Sequence, residues 1–123
     1  MKNIVLIIAG GVGARMGQDI PKQFINVYDK PVIVYTLEAF QKHPSIDAIE
    51  VVCLDGWHDV LWAYAKQFGI AKLENIVSGG KNGQDSIRNG LYDIASRHNG
   101  SDDIVLVHDA IRPCLLYTSP SPR

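Results

Sequence analysis

Cysteine is scarce in this chain. The two that occur, Cys53 and Cys114, lie far apart and fit no Cys-x-x-Cys or Cys/His spacing. That leaves out a disulfide framework and a zinc site. Cys53 sits in the apolar run Ile49–Leu54 and is expected as a buried thiol. Long hydrophobic runs are also missing. The stretch Ile4–Ala9 is too short for a membrane span, and no small-residue cleavage site follows it, so a cytoplasmic protein is expected, with no membrane partner. Charge of one sign is not in excess. Lys and Arg number 12 against 13 Asp and Glu, a formal net charge of −1, which gives no field to hold nucleic acid. Two nucleotide-binding spellings are absent as well. No Gly-Lys-Ser/Thr occurs, which removes a P-loop, and counting G-x-G-x-x-G from Gly11 places Met16 where the third glycine belongs.

What is present reads as α/β. With 123 residues, 46% hydrophobic and 20% charged, the chain suits one globular domain or a piece of a larger one. Ile4–Ala9 is a continuous β-branched run stopped by glycines, the pattern of a strand buried on both faces of a parallel sheet. Pro31 opens a helix with Ile33, Leu37 and Phe40 on one side. Ile46–Leu54 reads as a second strand. Val60, Leu61, Tyr64, Ala65 and Phe68 recur at helical spacing and end on Gly69, a left-handed cap. A third strand is expected over Leu73–Val77, a glycine-rich loop over Ser78–Asp85, a third helix marked by Ile87, Leu91 and Ile94, and a fourth strand over Ile104–Val107. This alternation implies right-handed βαβ units and an open, mainly parallel sheet flanked by helices.

Ligands of such sheets bind outside the carboxyl ends of the strands. Three loops there are unusual: Gly10–Gly17 after the first strand, Ser78–Gly83 after the third, and His108–Pro113 after the fourth. The glycines of the first let backbone N–H groups approach a phosphate, Arg15 adds a forked donor, and Lys22, in Pro21-Lys22-Gln23-Phe24, adds a compact cation. Taken singly, the glycine loop is equally a tight strand-to-helix turn and Lys22 a solvated surface residue. Their convergence points to a small anionic ligand.

LIIAGGVGARMG followed by IPKQF resembles the N-terminal signature of nucleotidyltransferases that build nucleoside-diphosphate sugars and polyols. GGKNGQDSIRNGL and VHDAIRP narrow the likeness to cytidylyltransferases acting on 2-C-methyl-D-erythritol 4-phosphate or ribitol 5-phosphate. The likeness runs from Lys2 to about Pro113, roughly the first half of such an enzyme. It implies a Rossmann-like nucleotidyltransferase sheet, truncated here, in which a polyol phosphate attacks the α-phosphorus of CTP and expels pyrophosphate. By this resemblance Arg15 and Lys22 are catalytic, and Ala9, Gly10, Gly11, Gly13, Gly80, Lys81, Ser86 and Asp109 bind the nucleotide. Asp109 also contacts Mg²⁺, and Arg112 faces the polyol phosphate. The full-length enzyme is expected as a homodimer. Methylerythritol phosphate is expected slightly ahead of ribitol phosphate as acceptor, with a non-catalytic nucleotide-binding module as the contrasting reading.

Two departures stand out. Gly83 occupies a position where the methylerythritol-type enzymes usually carry arginine. After Pro113 the family's further strands, second catalytic lysine and swapped arm give way to a Ser/Pro alternation. Residues 1–114 are therefore expected to form the N-terminal part of the domain, and 115–123 a foreign or disordered tail. The chain alone is expected to be marginally stable and inactive, its fourth strand keeping an unpaired edge and an uncovered apolar face. Of the remaining aromatic and imidazole groups, Trp57, Trp62 and Tyr64 are expected to pack on the sheet, His108 to be a hydrogen-bonded structural residue, and His43, His58 and His98 to lie at the surface.

Overall fold

In the computed structural model, residues 2–9, 20–80, 82–98 and 103–110 are described. Four strands form one parallel sheet: β1 (Asn3–Ala9), β4 (Ala48–Cys53), β5 (Leu73–Ser78) and β6 (Ile104–Asp109), in the order β5-β4-β1-β6. A short 3-10 turn, Lys22–Phe24, and a hairpin, β2 (Asn26–Val27) with β3 (Lys30–Pro31), lie between β1 and α1 (Val32–Lys42). Helix α2 (His58–Gln67) joins β4 to β5, and α3 (Gly83–Arg97) joins β5 to β6.

The sequence explains the layers. β1 and β4 are the most continuous apolar runs, and both are central and buried. On one face Val5, Ile7, Ile49 and Val51 meet Ile33 and Leu37 of α1 and Leu61 and Ala65 of α2. On the other, Ile4, Leu6, Ala48 and Val52 meet Ile94 of α3. The third helix lies close enough that a Cβ added at Gly90 would stand 2.5 Å from Leu6 Cδ1 and 2.9 Å from Val52 Cγ2. Only a residue without a side chain permits that approach.

Several expectations need correcting in detail. The second strand is shorter than Ile46–Leu54, starting at Ala48 after a lead-in anchored by buried Ile46. Pro31 is the cap of α1 and the last residue of β3, one position before the helix. Helix α3 begins inside the stretch read as loop, at Gly83, because the side chain of Asn82 accepts from Asp85 N–H at 2.9 Å and caps it. Its buried stripe is Ser86, Gly90 and Ile94, so Leu91 points outward. The small residues at 86 and 90 let the helix axis sit close to the sheet, which turns the stripe by one position. The β2–β3 hairpin was not foreseen. It turns through Tyr28 and Asp29, both at positive φ (55° and 70°), and two-residue strands leave no periodic trace. Gly69 does take the left-handed conformation, at φ 73°.

β6 pairs with β1, and among the described residues no strand lies on its other side. Ile104, Leu106 and Val107 are close to half exposed. The uncovered apolar face expected of the fourth strand is thus present among the described residues. The segment 115–123 lies outside them.

Candidate functional site

Chain order gives the site its place. From β1 the chain moves outward through β4 to β5, then returns across the sheet to put β6 on the other side of β1. The strand order therefore reverses between β1 and β6, the position at which open α/β sheets bind their ligands. The register makes the carboxyl ends level. Ile8 is paired with Asp109, Ala9 with Cys53, and Cys53 with Ser78. At about 4.8 Å per strand, the four ends span a rim of about 15 Å.

Five of the predicted site residues lie among the described residues. Ala9 is the last residue of β1 and is buried, and Asp109 is the last residue of β6, exposed, beside Ile8 of β1. Lys22 lies in the 3-10 turn with its side chain exposed. Gly80 lies in the loop after β5, where its N–H donates to the Ser86 hydroxyl at 3.0 Å. These two are brought together, with Ser86 buried in the first turns of α3. A Cβ at Gly80 would fall 2.2 Å from Asp85 Cβ, so the loop needs glycine there to fold against α3. Gly10, Gly11, Gly13, Arg15, Lys81 and Arg112 lie outside the described residues.

The carboxyl ends of the strands carry a feature the sequence did not announce. At each end a side chain donates to a carbonyl. Gln23 Nε2 donates to Ala9 O at the end of β1. His58 Nε2 donates to Cys53 O at 3.1 Å at the end of β4, and Asn89 Nδ2 to Ser78 O at 3.2 Å at the end of β5. Beyond β6, Thr36 Oγ1 donates to Ala110 O at 2.8 Å, from a fully buried position on α1. Gln23 and Thr36 are buried as well as polar.

The aromatic residues hold the lysine turn. Phe24 stacks on Trp57, with centroids 4.7 Å apart, and faces Tyr64 at 6.5 Å. Trp57 and Tyr64 pack as expected, whereas Trp62 is exposed on the outer side of α2. One histidine expectation changes. His98 is largely buried and lies 2.7 Å from Glu74. His108 packs edge-on against Phe40 at 5.1 Å, and its buried Nδ1 has no hydrogen-bond partner among the described residues.

A second polar cluster sits away from the rim, toward the end of α3. Arg97 Nη2 donates to Glu50 Oε1 at 2.9 Å and to Glu74 Oε1 at 3.3 Å, and its Nε donates to Asp93 Oδ2 at 3.1 Å. Asn75 Nδ2 donates to the same Asp93 oxygen at 2.9 Å. Burial pushes Glu50 up to about 8, helped by its bond with Asp93 and opposed by Arg97. Asp93 is held below the usual carboxylate range; burial opposes this, but bonds from Asn75, Glu50 and Arg97 outweigh it. Burial also pushes the Cys53 thiol up to about 12, which leaves it an inert core group, as its sequence surroundings suggested.

Among the described residues no group of three or more His, Cys, Asp or Glu is placed to hold a metal ion. Magnesium beside a triphosphate needs less, commonly one or two carboxylates with phosphate oxygens completing the shell. Asp109, a carboxylate at the switch point, fits that demand. No helix among the described residues is long and apolar enough to cross a membrane.

With this geometry in place, the comparisons with known proteins agree with one another. Residues 3–119 match the family model IspD, described as 2-C-methyl-D-erythritol 4-phosphate cytidylyltransferase. A ribitol-5-phosphate cytidylyltransferase of Lacticaseibacillus paracasei is 50% identical over 108 residues, covering 88% of this chain and 46% of that protein. A 2-C-methyl-D-erythritol 4-phosphate cytidylyltransferase of Clostridium botulinum is 42% identical over 112 residues, covering 91% and 47%. The crystal structure of a 4-diphosphocytidyl-2C-methyl-D-erythritol synthase superposes with a TM-score of 0.71 at 28% identity, over 92% of this chain and 48% of that one. The chain thus spans about half the length of the curated relatives it matches.

Proposed function

The chain belongs to the IspD cytidylyltransferase family, and on that premise we propose that it forms the CTP-binding part of a ribitol-5-phosphate cytidylyltransferase. The observation that carries the nucleotide reading is the level rim. In the chain the glycines follow β1 and Gly80 follows β5, Asp109 ends β6, and the Lys22 turn is tied to the end of β1 through Gln23, all in one parallel sheet whose carboxyl ends are level. In this reading the backbone N–H groups of Gly10, Gly11 and Gly13 meet phosphate oxygens after Ala9. Arg15 and Lys22 stabilise charge at the α-phosphorus as the polyol phosphate attacks and pyrophosphate leaves. Gly80, Lys81 and Ser86 line the cytidine side, and Arg112 faces the acceptor phosphate. Asp109 holds Mg²⁺, which when bound neutralises charge on the triphosphate.

Ribitol phosphate comes first because the relative bearing that name is the more similar, 50% against 42% identity. This reverses the order expected from the sequence motifs. The methylerythritol reading is supported by the description of the matching family. A full-length homodimer belongs to either proposal.

The test supplies CTP and Mg²⁺ with each acceptor to a protein carrying this chain at full family length, and measures pyrophosphate release. Release with ribitol 5-phosphate and little with methylerythritol phosphate is expected; the opposite preference overturns the acceptor. Lys22→Ala is expected to slow turnover about a hundred- to thousandfold. Unchanged turnover removes Lys22 from the mechanism.

A further inference from the structure

The segment Pro21-Lys22-Gln23-Phe24 alternates in burial in a way that its proposed role does not by itself explain. Pro21, Gln23 and Phe24 are buried, and Lys22 alone among them is exposed. The turn is closed by Phe24 N–H to Pro21 O at 2.9 Å and Ile25 N–H to Lys22 O at 3.2 Å. One side of it is held by the Phe24–Trp57 stack. The other is held by Gln23, whose amide donates to the carbonyl of Ala9. Ala9 is the residue at which β1 gives way to the glycine loop.

We propose that Gln23 is a positioning residue. Its buried amide ties the lysine turn to the end of β1 and so sets where the Lys22 ammonium group meets the phosphates bound by the following loop. This rests on the nucleotide reading above. Three observations favour the assignment over plain core filling. An apolar residue would fill the same volume without the penalty of burying an amide. The acceptor is the last carbonyl of β1, where the phosphate-binding loop begins. Of the four side chains that hold strand-end carbonyls, only Gln23 belongs to the turn that carries a proposed catalytic cation. Lys22 has a long flexible stem, so its reach is defined only as well as its Cα is. With Gln23 and Phe24 anchored on either side, the Cα is fixed and the side chain stays free to turn toward a ligand.

The experiment is a double-substitution cycle in a protein carrying this chain at full family length, with CTP and Mg²⁺ binding followed by calorimetry and each variant's melting recorded. The variants are K22A, Q23M, and both together; Q23M keeps the length of the side chain and removes the donor. Lys22→Ala is expected to weaken binding about tenfold, and Gln23→Met by a similar factor. The double variant is expected to be no weaker than either alone, because a positioning residue has nothing left to position once the ammonium is gone. Multiplying losses, or undiminished binding in Q23M, overturns the proposal while leaving the nucleotide site intact. If CTP does not bind the unsubstituted chain, or K22A binds as well as it does, the nucleotide reading fails and takes the proposal with it. Should Q23M not fold, Q23N replaces it in the same cycle. Its amide is one methylene too short to reach Ala9, so the same loss is expected, and full affinity overturns the proposal.

Discussion

Replacing Glu50 by glutamine should make the fold more stable as the pH rises, although it removes a carboxylate that an arginine contacts. Glu50 is 1% exposed in the middle of β4, and its Oε2 is buried without a hydrogen-bond partner among the described residues. Burial raises its ionisation to about 8, and the neighbouring Asp93 carboxylate adds to the rise. The sign follows. A raised value in the folded state favours folding most below the ordinary value of 4.5, and that contribution is lost as the pH climbs through about 8. Over this interval the unfolded chain releases the proton while the folded chain keeps it, at a cost of about 1.4 kcal/mol per pH unit. Glutamine mimics the protonated acid: it is neutral, its carbonyl can accept from Arg97 as Glu50 Oε1 does, and it does not titrate. The stability difference between Glu50→Gln and the unsubstituted chain should therefore grow by about 3–4 kcal/mol from pH 5 to pH 8. Urea denaturation of both proteins at pH 5, 6, 7 and 8 measures it, and other carboxylates cancel in the comparison. Parallel stability curves would show that Glu50 is ionised in the fold and refute the reasoning.

Two further outcomes follow from packing. Gly90→Ala gains about 1 kcal/mol of helix propensity but drives a methyl into Leu6 and Val52, so a net loss of about 1–2 kcal/mol is expected; a higher melting temperature would contradict it. Hydrogen exchange should divide β6 by residue parity. Ile104 N–H donates to Lys2 O and Ala110 N–H to Ile8 O, so alternation along the strand turns Leu106 and His108 toward β1 and Val105 and Val107 outward. The amides of Val105 and Val107 should exchange far faster than those of β1 and β4, and equal protection would reveal a further strand pairing there.

Strands were the easiest elements to read because a parallel sheet demands uninterrupted apolar runs, and Ile4–Ala9 and Ala48–Cys53 supply them. Helix ends were harder where polar side chains cap from within a loop, as Asn82 does. The apolar spacing that marks α3 does not show its buried stripe, because a hydrophobic count ignores Ser86 and Gly90, whose smallness brings the helix to the sheet. At the rim, the glycines and cations are proposed from spelling, since phosphate binding needs those residue types. Gln23 and Thr36 could not be read in that way. Their partners, Ala9 and Ala110, are backbone carbonyls brought near by folding, and a carbonyl has no sequence signature.

Those carbonyls bear on what the rim can bind. Strands ending level at one edge of a parallel sheet direct their last C=O groups toward the ligand, an unfavourable surface for a polyanion. Here Gln23, His58, Asn89 and Thr36 each occupy one such oxygen with a donor carried on a neighbouring helix or turn. The partial negative charge is engaged from the flanking layers, leaving backbone N–H groups and the Lys22 ammonium as the exposed polar groups suited to phosphate. The same bonds fix the starting points of the loops, so under the proposed nucleotide reading anion binding and order at the rim would arise from one set of contacts. A rim with bare carbonyls would require additional cations to hold a triphosphate, and a chain with a net charge of −1 has few to spare.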